Sequence, residues 1–116
     1  MKYSYSNKLK KFVTLVIVSY KSLKTMKPIL KKYSKFLKII IIENSQDKLS
    51  KKYIEKKFKN IQVYLKNNIG YGNAINHASA HVKTKYFFAV NPDLKFNLLC
   101  LINLLKAAEK LKGNFG

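Results

Sequence analysis

At 116 residues and 47% hydrophobic content, the chain has room for one domain with a core, since domains commonly run about 100 to 150 residues. All 24 basic residues are lysine, set against five acids, for a formal charge of +19. Such a field attracts polyanions, but the absence of arginine, whose bidentate fork reads base edges, and the even spread of the lysines argue against nucleic acid as the partner. An Asn- and Ile-rich composition also points to an A+T-rich genome as much as to selection for charge, and one cysteine, Cys100, excludes an internal disulfide.

Residues 1–11 form a basic lead and Phe12 to Val18 an apolar run, the outline of a signal peptide. No small-residue cleavage site follows it. Nor does any segment reach the roughly 20 apolar residues that span a bilayer. A cytoplasmic chain is expected, with a ragged lead over 1–11 and one domain over 12–116.

The elements then alternate. Phe12 to Ser19 is almost wholly apolar and β-branched, as buried parallel strands are. Leu23 to Phe36 carries Leu23, Met26, Ile29, Leu30 and Tyr33 at helical spacing, with Pro28 tolerable only in a first turn. A second strand is expected over Leu37 to Ile42. An amphipathic helix marked by Leu49, Tyr53, Ile54 and Phe58 follows, with Asp47 as its cap, and then a short strand over Ile61 to Leu65. Ala74 to Val82 reads as a helix, Tyr86 to Val90 as the fourth strand and Leu98 to Leu111 as a long helix. Asn97 is that helix's N-cap candidate, Lys106, Lys110 and Lys112 occupy its last turns, Gly113 is its stop, and Cys100 is a small buried residue within it.

Strand and helix alternation with continuous apolar strands implies an α/β fold, a parallel sheet covered on both faces. Ligands in such sheets bind beyond the carboxyl ends of the strands. That edge collects Ser19 and Tyr20 after the first strand, Glu43, Asn44 and Ser45 after the second, Lys66 to Asn68 after the third, and Asn91, Pro92 and Asp93 after the fourth. The segment Asn67-Asn-Ile-Gly-Tyr-Gly-Asn-Ala-Ile-Asn76 adds two glycines that permit positive φ and close approach to a ligand just before a helix N-terminus, which favours anions. It is not the dinucleotide fingerprint, because Ile75 holds the third glycine position and the segment follows the third strand. His77 and His81, four apart on a helix, have the spacing of a zinc pair but no third ligand, and position 78 is alanine where the metalloprotease pattern has glutamate; solvated or half-buried histidines are the simpler reading.

Taken in order, Val13-Thr-Leu-Val-Ile-Val-Ser-Tyr20, Ile41-Ile-Glu-Asn-Ser-Gln-Asp47, Asn68-Ile-Gly-Tyr-Gly-Asn-Ala-Ile-Asn76 and Tyr86-Phe-Phe-Ala-Val-Asn-Pro-Asp93 resemble the nucleotide-sugar-binding half of the family 2 glycosyltransferases, with the GT-A fold. Glycine turn plus Asn-Pro-Asp looks most like the rhamnosyltransferase-type branch that builds cell-surface polysaccharides. The resemblance implies a Rossmann-like, mainly parallel sheet in the order 3-2-1-4 with helices on both faces. It implies that Glu43, where family members mostly carry aspartate, accepts from the imide N–H of a uracil or thymine ring, with Ser19, Tyr20 and Asn44 beside it. Gly70, Tyr71, Gly72, Asn76 and Asn91 complete the implied nucleotide contacts, Tyr20 and Asp93 having alternative readings as a capping aromatic and an Asx-type turn. Asp93 matches the last acid of the D-x-D motif, Asn91 replacing the first, and would hold Mg²⁺ or Mn²⁺ through the diphosphate.

The implied donor is a UDP- or dTDP-type sugar, and the implied acceptor a saccharide or lipid-linked molecule, with peripheral association at an anionic inner membrane face. The general base is expected beyond residue 116, which reads the chain as truncated, split or a fragment, and as marginally stable alone. Two other classes stay open: a non-catalytic nucleotide-binding module, and a basic nucleic-acid binder whose affinity falls steeply with salt.

Overall fold

The structure, a computed structural model, describes residues 2–93 and 97–111. Nine elements follow one another: α1 (Lys2–Phe12), β1 (Val13–Ser19), α2 (Leu23–Tyr33), β2 (Lys38–Glu43), α3 (Lys48–Lys57), β3 (Ile61–Leu65), α4 (Tyr71–His81), β4 (Tyr86–Val90) and α5 (Leu98–Leu111). The four strands form one sheet in the order β3-β2-β1-β4, every pairing parallel. The fold is α/β, with helices on both faces of the sheet.

Both faces of β1 and β2 are covered, which is why they consist almost entirely of apolar residues. On one face Val13, Leu15, Ile17, Ile39 and Ile41 meet Met26 and Leu30 of α2, Ile54 of α3 and Leu101 and Leu105 of α5. On the other, Val16, Ile40 and Ile42 meet Ala74 and Ala78 of α4. Isoleucines 39–42 are each no more than 4% exposed, and burial at that level contributes about 1.5–3 kcal/mol per side chain.

Coverage stops at the edge. Across from β1, strand β4 leaves Phe87 and Ala89 exposed on the α4 side, because the two alanines of α4 reach only β1 and β2. The expectation of strands buried on both faces therefore holds for the centre of the sheet and fails at β4.

Several local expectations are corrected. The lead is helical over 2–12 rather than ragged, because Leu9 is fully buried in the core and α1 packs against β1 and α5. Pro28 sits at the sixth position of α2, beyond the first turn. An interior proline costs about 3 kcal/mol, offset here by burial of Met26, Ile29, Leu30 and Tyr33 on the opposite side. Leu49 is 80% exposed and takes no part in the core, and α3 is held through Ile54 instead. Cys100 is exposed, since the buried stripe of α5 runs through Leu101, Ile102 and Leu105. Asn97 caps α5 as expected, its Oδ1 accepting from the Cys100 N–H at 2.9 Å. Lys112 and Gly113 lie outside the described residues.

Candidate functional site

Four parallel strands bring four loops to one edge. At its centre Ser19 and Glu43 are register partners at the last step of the β1–β2 ladder. Beyond them the Asn44 N–H donates to the Ser19 carbonyl at 2.8 Å, and the Lys66 N–H to the Glu43 carbonyl at 2.9 Å, which prolongs both ladders past the strand ends.

Glu43 is only 1% exposed, so its carboxylate needs hydrogen bonds. It receives two, both at Oε2: the Lys21 N–H at 2.9 Å and the Ser45 hydroxyl at 2.5 Å. Lys21 reaches it by adopting φ 54°, a left-handed conformation rare outside glycine, and Gln46 does the same at φ 58° just after Ser45. Ser19 is buried and its hydroxyl accepts from the Ser22 N–H at 3.3 Å. Asn44 is 5% exposed, and its Oδ1 is buried without a hydrogen-bond partner. Tyr20 is exposed, with the Lys21 ammonium 5.6 Å from its ring centre.

On the β3 side, helix α4 starts three residues earlier than its apolar spacing predicts, at Tyr71. Gly70 is its N-cap, with φ 82° and ψ 166°, a conformation essentially reserved for glycine. No side chain caps the helix start and no acid lies in its first turn, so the backbone N–H groups of 71–73 face outward at its positive end. Tyr71 and Gly72 belong to this first turn, and Gly72 has no need of positive φ. Asn76 is separated from the edge: five residues into α4 places it about 7.5 Å along the axis, exposed, its carbonyl accepting from Ser79 Oγ.

Asn91 and Asp93 follow β4, both exposed, on the opposite flank of β1 from Glu43. The backbone that an Asx-type turn at Asp93 would bond, residues 95 and 96, lies outside the described residues. As a metal ligand Asp93 supplies one carboxylate, and no group of three or more His, Cys, Asp or Glu able to hold an ion occurs among the described residues. Such a donor set fits Mg²⁺ or Mn²⁺ only together with diphosphate oxygens and water.

The other acids are occupied elsewhere. Asp47 caps α3, accepting from the Ser50 N–H and hydroxyl, which holds its carboxyl below the usual value. Glu55 takes the Lys51 ammonium and the Val63 N–H, and Glu109 lies 4.0 Å from Lys85. His77 and His81 stand beside Tyr64, whose ring stacks on His81 at 4.1 Å and meets His77 edge-on at 5.7 Å. Burial, then the nearby Lys66 and His81, push the His77 imidazole below its ordinary value.

Sequence reading placed Glu43 at this edge but missed Lys21 and Ser45 as its partners. Their positions beside two strand ends were a signal, but the left-handed turn that aims the Lys21 N–H was not. Comparison with known proteins gives one result with a family and one without. A search of curated proteins returned no match. The model of glycosyl transferase family 2 matches residues 14–115, running from the start of β1 past the end of α5 and taking in every loop of this edge. With that span and a parallel 3-2-1-4 sheet, the chain belongs to glycosyl transferase family 2.

Proposed function

We propose that this chain is the donor-binding part of a glycosyltransferase that uses a UDP- or dTDP-type sugar, of the rhamnosyltransferase-like branch, with a saccharide or lipid-linked acceptor. The supporting observation is the distribution of acids. Three of the five are tied into a helix cap or lysine pairs, and the two that remain, Glu43 and Asp93, flank β1 at the carboxyl edge. In this reading the pyrimidine lies beside β1 and β2, where Glu43 accepts from the imide N–H and the unpaired Asn44 Oδ1 takes a second ligand donor. Tyr20 rests against the base. The diphosphate approaches the uncapped start of α4 at Gly70, Tyr71 and Gly72, where N–H groups and the helix dipole favour an anion.

Asp93, with Asn91 beside it, would hold Mg²⁺ or Mn²⁺, and the metal when bound neutralises charge on the departing diphosphate. The Glu43 side chain is one methylene longer than the family's usual aspartate, and its fold-back onto Lys21 and Ser45 accommodates the extra length.

The test is calorimetric titration of uridine or thymidine diphosphate at about 0.3 M salt, where exposed lysines are screened, with adenosine diphosphate as the control. Wild type should prefer the pyrimidine nucleotides and bind them more tightly with Mn²⁺. Glu43→Gln should remove the base preference, and Asp93→Asn the effect of metal. Equal affinity across nucleotides and variants would overturn the reading.

A further inference from the structure

The opposite edge of the sheet, where the strands begin, holds a cavity of about 290 Å³ that this function does not use. Three lysines from separate parts of the chain line it: Lys38 at the start of β2, Lys59 in the turn before β3, and Lys83 after α4. Thr14, His81, Asn60 and Gln62 complete the polar part of the wall, and no acid among the described residues lines it.

We propose that this cavity is a binding site for a phosphomonoester dianion, separate from the nucleotide edge. Five residues of strand at about 3.3 Å each put some 16 Å between the two edges, so one diphosphate cannot serve both.

The case rests on three lysines around one concavity with no acid among the described residues that line it. Some lysines elsewhere meet carboxylates, as Lys51 meets Glu55 and Lys85 meets Glu109, or lie over rings, as Lys27 lies over Tyr53. The side chains of Lys38, Lys59 and Lys83, like those of Lys24, Lys31 and Lys52, have no ion pair, hydrogen bond or ring contact among the described residues; what sets the first three apart is that they share one concavity. Three like charges around one concavity repel one another and draw an anion in, and because all three lysines are exposed, solvent and salt moderate both effects.

One feature of the fold opposes the anion. The carbonyl end of α4 points to this edge and carries the equivalent of about half a negative charge. Three full positive charges outweigh it. Neutral donors add direction: Gln62 accepts the Tyr64 hydroxyl at 3.3 Å through Oε1, which leaves its amide N–H groups to donate. Stacking on Tyr64 fixes the plane of the His81 ring at the cavity wall.

A dianion with three acceptor oxygens matches three ammonium groups better than a monoanion does. The same phosphate chemistry occurs in inorganic phosphate, in phosphorylated small molecules and in the headgroup of phosphatidic acid.

The experiment compares the full chain with a cavity variant, Lys38→Gln/Lys59→Gln/Lys83→Gln, and a control of equal charge, Lys24→Gln/Lys31→Gln/Lys52→Gln. Inorganic phosphate, phenyl phosphate and vesicles containing phosphatidic acid are titrated at about 0.3 M sodium chloride, to suppress diffuse attraction. Wild type and control should bind at least one of the three probes, and the cavity variant should bind it about ten-fold or more weakly. Phosphate binding without vesicle binding would identify a soluble ligand, and vesicle binding alone a membrane headgroup; either supports the site. Equal weakening in the two variants, or no binding of any probe by wild type, would overturn it. Without anion the cavity variant should melt no lower than the control, because removing mutual repulsion offsets the lost charge; a lower melting point would also count against the site.

Discussion

Ser19 and Glu43 face each other across the last rung of the β1–β2 ladder, and from there the Glu43 carboxylate turns back to the Lys21 N–H at 2.9 Å. One side chain thus ties the loop after β1 to the end of β2. Glu43→Ala should leave that half-buried N–H without its acceptor and cost about 1 kcal/mol. Glu43→Gln keeps an acceptor of the same reach and should cost clearly less. Chemical denaturation of the two variants checks the order, and equal losses would mean that the carboxylate charge matters more than the bond.

The two glycines of the β3–α4 turn should separate. Gly70→Ala forces a side chain into φ 82°, ψ 166° and should cost about 1–3 kcal/mol, although nothing crowds the added Cβ. Gly72→Ala enters an ordinary helical turn in open space and should gain up to about 0.5–1 kcal/mol. If the start of α4 receives a diphosphate, the more stable Gly72→Ala protein should still bind uridine diphosphate more weakly. Melting curves with and without nucleotide decide both points.

Helix α1 is part of the domain through Leu9. Truncating this fully buried side chain to alanine should cost about 2–5 kcal/mol. Leu99, 61% exposed on α5, serves as the comparison, and its alanine variant should stay within about 0.5 kcal/mol of wild type. Similar small effects at both positions would detach α1 from the core.

His77 makes stability depend on pH. Its imidazole, beside Tyr64, Lys66 and His81, titrates below the ordinary 6.5 in the folded chain. A base with a depressed folded value binds more protons when unfolded, so its contribution is complete above about pH 6.5 and is lost as pH falls through the folded value. Its half-exposed position makes the effect modest. The fall in melting temperature between about pH 7.5 and about pH 5.5 should be smaller in His77→Asn than in wild type. An unchanged fall would assign the pH dependence to other groups.

Apolar runs of five to seven residues, punctuated by polar strand ends and separated by helical spacing, were enough to read four parallel strands and to gather their polar ends on one edge, while the strand order came with the family resemblance. Burial explains this legibility: a parallel strand covered on both faces can contain little but apolar residues, and its end is marked by the first polar ones, Ser19 and Glu43. The caps Asp47 and Asn97 were equally legible, because capping is local chemistry within three residues.

Tertiary structure alone decided the rest, since it depends on what lies across space. Leu49 and Cys100 have core chemistry but face solvent, while Leu9, in a lysine-rich lead, is buried because α5 returns to cover it. Pro28 survives inside α2 through packing on the far side of the helix, which propensity cannot foresee. The left-handed turn at Lys21 that satisfies Glu43, and the gathering of Lys38, Lys59 and Lys83 around one cavity, join residues some twenty or more positions apart, and only the assembled sheet brings them together.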